Sequence, residues 1–547
     1  MLTRTTILTL LSAILFPLAL PNELFAFGNP LIGLVALAPY YLAIRDTKNP
    51  RTAARLGALF GAVSTLLGNY WLMFFGEFSV WTIGGTTIGY VAYNYVLAGF
   101  LWRATREPLT VRPVLFALVW TVYEYLKSIG FLAYPWGLAA YPFSELAVFT
   151  QIVDVTGVWG LSFLAVYANT AAAEILCPSA DAALQTNAAA PRDVTPRAAA
   201  HLAMVAVLVT GIGGYGLVRL HTPIPVRTTL ELMLVQQNAD AWNTRDIARP
   251  LLITQRETEN ALAAVEQEPD LIVWSETSLR YIYESEGGWY ARNPPERPFL
   301  DFIADLPAPL MTGSPMQSSE EDFAIYNAVI LIDRDTTVRQ WYGKQHLVPF
   351  AEIIPFWDTR AVRRFFDYVV GIDGIWTPGP GTRLFSLTAR DGTEVEIATP
   401  VCFEDAFAYL NRAFVLAGAD LIVNLTNNSW SRTNSAQTQH FVASRFRAIE
   451  TRRSLVRSTN SGYTTIIDPW GRTVASRPMF VTTHLSATVP VYAPERETVY
   501  TTFGDWFPRL VAAALTILFA ATFLHKKKRA PAAPLVEVRR KWISSAI

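Results

Sequence analysis

The chain has 547 residues and carries 45 Lys or Arg against 45 Asp or Glu, a formal net charge of zero. Half of it is apolar (51%) and 13% is aromatic, too apolar for an ordinary soluble enzyme, with the excess concentrated at the two ends. The balanced charge singles out no class of partner.

A membrane span needs about 20 mostly apolar residues. Apolar runs of that order fall at 5–21, 28–45, 56–75, 80–101, 113–130, 154–176, 199–219 and 505–524. Eight spans are therefore expected: seven in a domain over 1–220 and one near the C-terminus. Between them, residues 225–495 have the charge, turns and short β-rich runs of a soluble domain. A basic tail, 525–547, follows the last span. The first run, "MLTRTTILTLLSAILFPLALP", also reads as a signal peptide with Arg4 as its charged region. Against cleavage, Leu24 stands where a small residue is wanted.

Lys and Arg in the short loops set the orientation. Arg45, Lys48, Arg51 and Arg55 follow the second run, Arg103, Arg106 and Arg112 the fourth, and Arg192 and Arg197 the sixth. The tail has "HKKKR" (525–529), then Arg539, Arg540 and Lys541. Loops 22–27 and 76–79 carry neither, and the loop after the fifth run has only Lys127 at its edge. Both termini are expected in the cytoplasm. Seven crossings then place 225–495 outside.

Within that domain, short apolar runs alternate with helical stretches: 229–238, 270–277, 309–315, 326–333, 395–405, 419–430 and 454–468. Near-continuous apolar strands interleaved with helices predict sheets covered by helices. A helix is expected over 435–454, with Phe441, Phe446 and Ile449 on one face. Polar groups at strand C-termini build sites in such folds. Three stand out: Glu276 ending "LIVWSE", Lys344 after "RQWYG" and Cys402 after "EIATPV".

The chain has two cysteines, and this topology puts Cys177 at the inner end of the sixth run and Cys402 outside. They cannot pair, so stability must come from a core, for which about 270 residues suffice. Cys177 reads as a membrane-end residue, with lipidation as the alternative. "TPVCFEDAF" (399–407) sets Cys402 beside Glu404 and Asp405, and carboxylates make a thiol harder to ionise. A reactive Cys402 therefore needs a base and a cation brought in by folding. Glu276 and Lys344 are the candidates.

"WSETS" (274–278), "YGKQHLVPFAEIIPF" (342–356), "CFEDAF" (402–407), "NNSW" (427–430) and "RSTNSG" (457–462) resemble the nitrilase superfamily, and more closely its membrane branch, the apolipoprotein N-acyltransferases. The resemblance covers nearly the whole chain. It implies an αββα sandwich on a polytopic helical domain in the bacterial cytoplasmic membrane, with the sandwich on the periplasmic side. It implies acyl transfer from phospholipid, through a Cys402 thioester, to the α-amine of a diacylglyceryl apolipoprotein. Glu276 would be the base, Lys344 the oxyanion-side cation, Glu352 and Glu404 supporting carboxylates, and Trp242 and Trp430 pocket aromatics. Two departures are visible: Phe403 stands where Tyr is common, and "NNSWSR" (427–432) replaces a more acidic loop.

Ester to thioester to amide runs downhill, so no cofactor is expected. No phosphate-binding glycine loop occurs, and the six His are scattered without metal-ligand spacing, so neither metal nor nucleic acid is expected. His346 and His440 read as structural. The aromatic stretch 353–376, with Arg363 and Arg364 interleaved, reads as an interfacial lid that admits acyl chains and meets phosphate. Trp136, in "AYPWGLAAYPF" (133–143), would line the same entrance or belong to an aromatic belt. Glu124, inside the fifth run, is expected to be buried against protein. A membrane-tethered amidase using the same triad with water as acceptor is the competing reading.

Overall fold

The computed structural model describes residues 2–178, 196–242, 245–317, 324–371 and 374–529. Arg192 and the tail beyond 529, with Arg539, Arg540 and Lys541, lie outside the described residues. Twelve strands are described: β1 (Val226–Gln236), β2 (Leu271–Trp274), β3 (Leu310–Gln317), β4 (Ile325–Ile332), β5 (Val338–Gly343), β6 (Leu384–Thr388), β7 (Glu394–Ala398), β8 (Leu421–Thr426), β9 (Ser454–Thr459), β10 (Thr465–Ile467), β11 (Thr473–Ser476) and β12 (Thr483–Tyr492). They form two sheets, in the orders β12-β1-β2-β3-β4-β5 and β11-β10-β9-β8-β7-β6. In each the central three strands are parallel and the flanking pairs antiparallel.

Alternation along β1 shows how the layers are made. Leu230, Leu232 and Leu234 join the core shared with the second sheet, whereas Met233 and Val235 join a separate cluster under Phe299 and Phe302. Successive side chains point to opposite faces of a strand, so a stretch covered on both faces must be apolar throughout, as β2 is and as β1 is from Leu232 to Val235. The sheets are also tied directly, with the Ser458 hydroxyl donating to the Val273 carbonyl at 3.1 Å. The strands absent from the sequence reading, β5, β6, β11 and β12, are outer strands. They carry charged or small polar residues because one face or edge is only partly covered. The expected strand over 454–468 is two strands, β9 and β10, joined by a turn.

The helix expected over 435–454 runs Asn434–Thr451, with Thr433 Oγ1 accepting the Ala436 N–H at 3.3 Å. Its residues from Ser435 to Thr451 are buried except for the partly exposed Ala436. Phe446 stacks on Tyr141, while Phe441 stacks on Tyr463 and meets Phe27. Phe441 and Phe446 thus both meet rings of the N-terminal part, and the helix lies between the second sheet and the N-terminal helices with both sides covered.

Helices Arg4–Ala19, Pro50–Gly68, Ser79–Thr105, Arg112–Lys127, Val158–Leu176, Pro196–His221 and Trp506–Arg529 make up the helical part. By length and composition, Pro196–His221 is apolar and long enough to cross a membrane. The run 28–45 is not one helix but two, Pro30–Gly33 and Ala38–Asp46. Prolines at the start of both favour the break, and Asn169 Oδ1 accepts the freed N–H groups of Leu37 and Ala38 at 2.9 and 3.2 Å. The run 154–176 is interrupted at Gly157, whose φ of 64° is readily adopted by glycine. The run 56–75 is helical to Gly68 and continues as a 3₁₀ turn, Tyr70–Phe74. Glu124 is buried, its Oε1 accepting from Trp120 Nε1 at 2.8 Å and the Ala139 N–H at 2.7 Å.

Buried polar ties join the two parts. Arg452 Nη2 donates to Asp154 Oδ2 at 2.7 Å, Glu450 Oε1 accepts the Val158 N–H at 3.1 Å, and Gln439 Nε2 donates to the carbonyls of Pro21 and Gly68, each at 3.0 Å.

Candidate active site

Glu276 lies just past the end of β2, Lys344 directly follows β5, and Cys402 follows β7. Parallel strands bring their C-terminal ends to one edge, and the site collects there. Gly313, on β3, is needed for this approach: a Cβ there would come within 2.6 Å of Glu276 Cα. Cys402 opens the 3₁₀ turn Cys402–Ala406 with φ 53°, a left-handed conformation that non-glycine residues adopt at a cost. The Asn424 amide holds it by donating to the Cys402 carbonyl at 2.8 Å.

Lys344 Nζ stands 2.9 Å from Glu352 Oε1 and 3.6 Å from Glu276 Oε1. Asn327 Nδ2 donates to the same two oxygens, at 2.9 Å to Glu276 and 3.1 Å to Glu352. Glu276 Oε2 accepts the Asn427 N–H at 2.8 Å, and Glu352 Oε2 that of Val348 at 2.8 Å. Burial alone would lower the Lys344 pKa, but Glu352 and then Glu276 outweigh it and raise it above its ordinary value. The ammonium is therefore charged at any physiological pH.

Burial pushes the Cys402 thiol well up, Glu276 adds to the rise, and Lys344 and the Thr426 hydroxyl oppose it. The carboxylates adjacent in sequence are not what holds the thiol protonated, a correction to the sequence reading. Glu404 turns away: its oxygens accept the Tyr342 hydroxyl at 3.1 Å and the N–H groups of Gln345, His346 and Val401 at 2.8, 2.8 and 2.7 Å. Burial raises its pKa to about 7 against those N–H bonds. Asp405 faces His440 and Arg457 instead. His346 is pushed down to about 4 by burial and then by Lys344, so it is neutral.

Phe403 lays its ring 5.1 Å from Lys344 Nζ, a contact that needs no hydroxyl. Trp242 and Trp430 meet edge to face at 5.0 Å, and Trp242 Nε1 donates to the Trp430 carbonyl at 3.2 Å. The departing loop 427–432 is tied down, with the Ser431 hydroxyl donating to the Trp71 carbonyl at 3.0 Å and Arg432 Nη2 to Asn238 Oδ1 at 2.9 Å. Trp136 is buried, stacked on Tyr134, with its ring 5.7 Å from His440. Arg363 and Arg364 sit apart from the carboxylates on an exposed helix, Arg360–Phe365, with Arg363 5.7 Å from the Trp357 ring. Cys177 is partly buried at the end of its helix, its carbonyl accepting from Arg45 Nη1 at 2.8 Å.

Sequence reasoning missed Asn327, Asn427 and Thr426. The one available signal was Asn327, an amide inside the otherwise apolar strand "YNAVILI".

Residues 12–171 match the family described as "Apolipoprotein N-acyltransferase N-terminal domain", and residues 193–493 match "Carbon-nitrogen hydrolase". Apolipoprotein N-acyltransferase 2 of Treponema denticola is 36% identical over 95% of this chain and 97% of its own length. Its namesake in Treponema pallidum is 40% identical over 93% of each chain, and the apolipoprotein N-acyltransferase of Borreliella burgdorferi is 30% identical over 98% of this chain and 100% of its own. Both halves are matched in order and the relatives are matched almost end to end, so the chain belongs to the apolipoprotein N-acyltransferases, acyltransferases that carry a carbon-nitrogen hydrolase fold.

Proposed function

We propose that the chain moves a fatty acyl group from phospholipid, through a thioester on Cys402, to the α-amine of the N-terminal diacylglyceryl cysteine of lipoproteins. The observation that carries this reading is Lys344 bridging Glu276 and Glu352 beside the Cys402 thiol. Glu276 takes the thiol proton, and the thiolate attacks the ester carbonyl. Lys344 and the Phe403 N–H, which no acceptor among the described residues takes, steady the oxyanion. The C–O bond breaks and Glu276 returns its proton to the departing lysophospholipid. The acceptor amine then attacks the thioester, Glu276 takes a proton from it, and the C–S bond breaks.

The helical part, residues 1–220 with the helix near 505–524, is embedded in the cytoplasmic membrane. Residues 225–495 form the catalytic domain outside, and the tail from 525 is cytoplasmic. Supporting this, the helices turn large apolar groups outward, among them Ile14, Ile88, Val207 and Ile517, and bury polar ones, among them Ser12, Asn94, Thr121 and Asn169. Phe356 and Tyr368 are more than 80% exposed on the segment bearing Arg363 and Arg364, and Phe365 meets Trp81 of the helical part at 6.0 Å. These exposed aromatics support a segment that dips into lipid with its arginines near phosphate.

The test is the intact mass of the full chain after exposure to phospholipid without acceptor. An acyl adduct on Cys402, cleaved by hydroxylamine and absent from Cys402→Ala, is expected. Glu276→Gln slows its formation about 10²–10⁴-fold. An acceptor acetylated at its amino terminus leaves the adduct intact. An adduct on another residue, or transfer by Cys402→Ala, overturns the reading.

A further inference from the structure

A second polar chain ends on the thiol. On β9, the fully buried Arg457 places Nε 3.4 Å from Asp405 Oδ2. Asp405 Oδ1 accepts from His440 Nε2 at 2.7 Å. The other ring nitrogen, Nδ1, is 3.2 Å from Asn428 Oδ1, and that same oxygen is 2.9 Å from Thr426 Oγ1. Val401 bridges Leu425, which sets Thr426, the last residue of β8, beside Cys402, and the Thr426 hydroxyl opposes the rise of the thiol pKa. Asp405, His440, Thr426 and Arg457 are all buried, and none belongs to the Glu276–Lys344–Cys402 set.

Counting protons along the chain fixes its polarity. An ionised Asp405 only accepts, so it takes the His440 Nε2 hydrogen. Burial lowers the His440 pKa, with Asp405 and Glu276 pulling it up and Arg457 down, and the Trp136 ring covers it from the helical part. A neutral His440 presents a lone pair at Nδ1. As placed, Asn428 meets that lone pair with an oxygen, while its Nδ2 donates no hydrogen bond among the described residues. Oxygen and nitrogen of a side-chain amide are assigned from the network around them. Turned by half a revolution, the Asn428 amide donates one hydrogen to His440 Nδ1 and the other to Thr426 Oγ1. It loses no donor bond in turning. Thr426, having accepted, has its own hydrogen left for the sulfur.

We propose that Asp405, His440 and Asn428 are positioning residues for acyl transfer, which hold the Thr426 hydroxyl as a hydrogen-bond donor to Cys402 Sγ. The thiolate then has a neutral donor in addition to the Lys344 charge, and hydrogen bonding to the charged form favours that form. With a protonated His440 the polarity reverses: Asn428 accepts from both neighbours, Thr426 accepts the S–H, and the thiol is held. This inference rests on Cys402 being the nucleophile.

Full-length protein in detergent tests it, with iodoacetamide as the probe and mass spectrometry locating the label on Cys402 rather than Cys177. Thr426→Val removes the hydroxyl at nearly constant shape, Thr426→Ser keeps it, and Asn428→Asp substitutes a group that only accepts. Below about pH 8, Thr426→Val and Asn428→Asp should each slow alkylation roughly tenfold, an upward displacement of about one pH unit, and Thr426→Ser should track the parent. Asn428 is partly exposed, so Asn428→Asp carries the test should Thr426→Val fail to fold. Alkylation of Thr426→Val or Asn428→Asp at the parent's rate overturns the proposal, as does Thr426→Ser slowed as much as Thr426→Val. If phospholipid still acylates Cys402 in the parent, only the hydrogen-bond chain has failed. Acylation elsewhere removes the nucleophile reading itself.

Discussion

Replacing Lys344 with Met keeps the length of a fully buried side chain and removes its charge. The ammonium stands between Glu352 and Glu276 at 2.9 and 3.6 Å, and Asn327 Nδ2 bridges the same oxygens, so these lie within about 6 Å of each other. At an effective dielectric constant of about 20, two unit negative charges about 6 Å apart repel by about 3 kcal/mol. Without the cation that repulsion is no longer offset, and Glu276, the more buried side chain at 5% exposed against 15%, loses the charge that holds it in place. Removing an oxyanion partner costs about 10²–10³-fold, and a displaced base adds to that loss. The assay is single-turnover formation of the acyl adduct on Cys402, followed by mass. The expected result is a variant at least about 10²-fold slower than the parent. A rate within about threefold of the parent refutes the reasoning.

Three other outcomes are expected. Arg363→Ala combined with Arg364→Ala should raise the phospholipid concentration needed for half-maximal acylation while leaving thermal unfolding unchanged, because both residues are exposed; an unchanged concentration dependence makes them ordinary surface charges. Arg452→Met should lower the unfolding midpoint, since it removes bonds to Asp154, Gln151 and the Pro469 carbonyl. The cost should fall near the low end of the roughly 3–5 kcal/mol typical of a broken buried pair, because Arg219 still holds Asp154. A reporter active only outside the cytoplasm should work when fused after residue 225 and fail after Lys528; the reverse pattern would overturn the orientation drawn from Lys and Arg.

Much of the catalytic half was legible in the chain because its central strands are buried on both faces, which leaves unbroken apolar runs such as "LIVW" (271–274) and "LIVNLT" (421–426). Glu276 and Cys402 could be picked out as polar residues at the end of such runs, and Lys344 after the mixed run "RQWYG". The outer strands β6 and β11 were not legible, because partial exposure lets them carry the polar residues of loops. In the helical part, the break near Leu37 depends on a side chain 132 residues away, Asn169, and no local pattern records that.

The sequence by itself determined the order of the parts, the strand ends at which Glu276, Lys344 and Cys402 stand, and the family, since each is written in local pattern or contiguous motif. Only the tertiary structure decided which charges Cys402 meets. Adjacent residues point where the backbone turn sends them, so Glu404 and Asp405 face away from a thiol they neighbour in sequence. Glu276, over a hundred positions earlier, acts on it through space. Burial, and the direction of each hydrogen bond around the thiol, arise only when β2, β5, β7 and β8 end together.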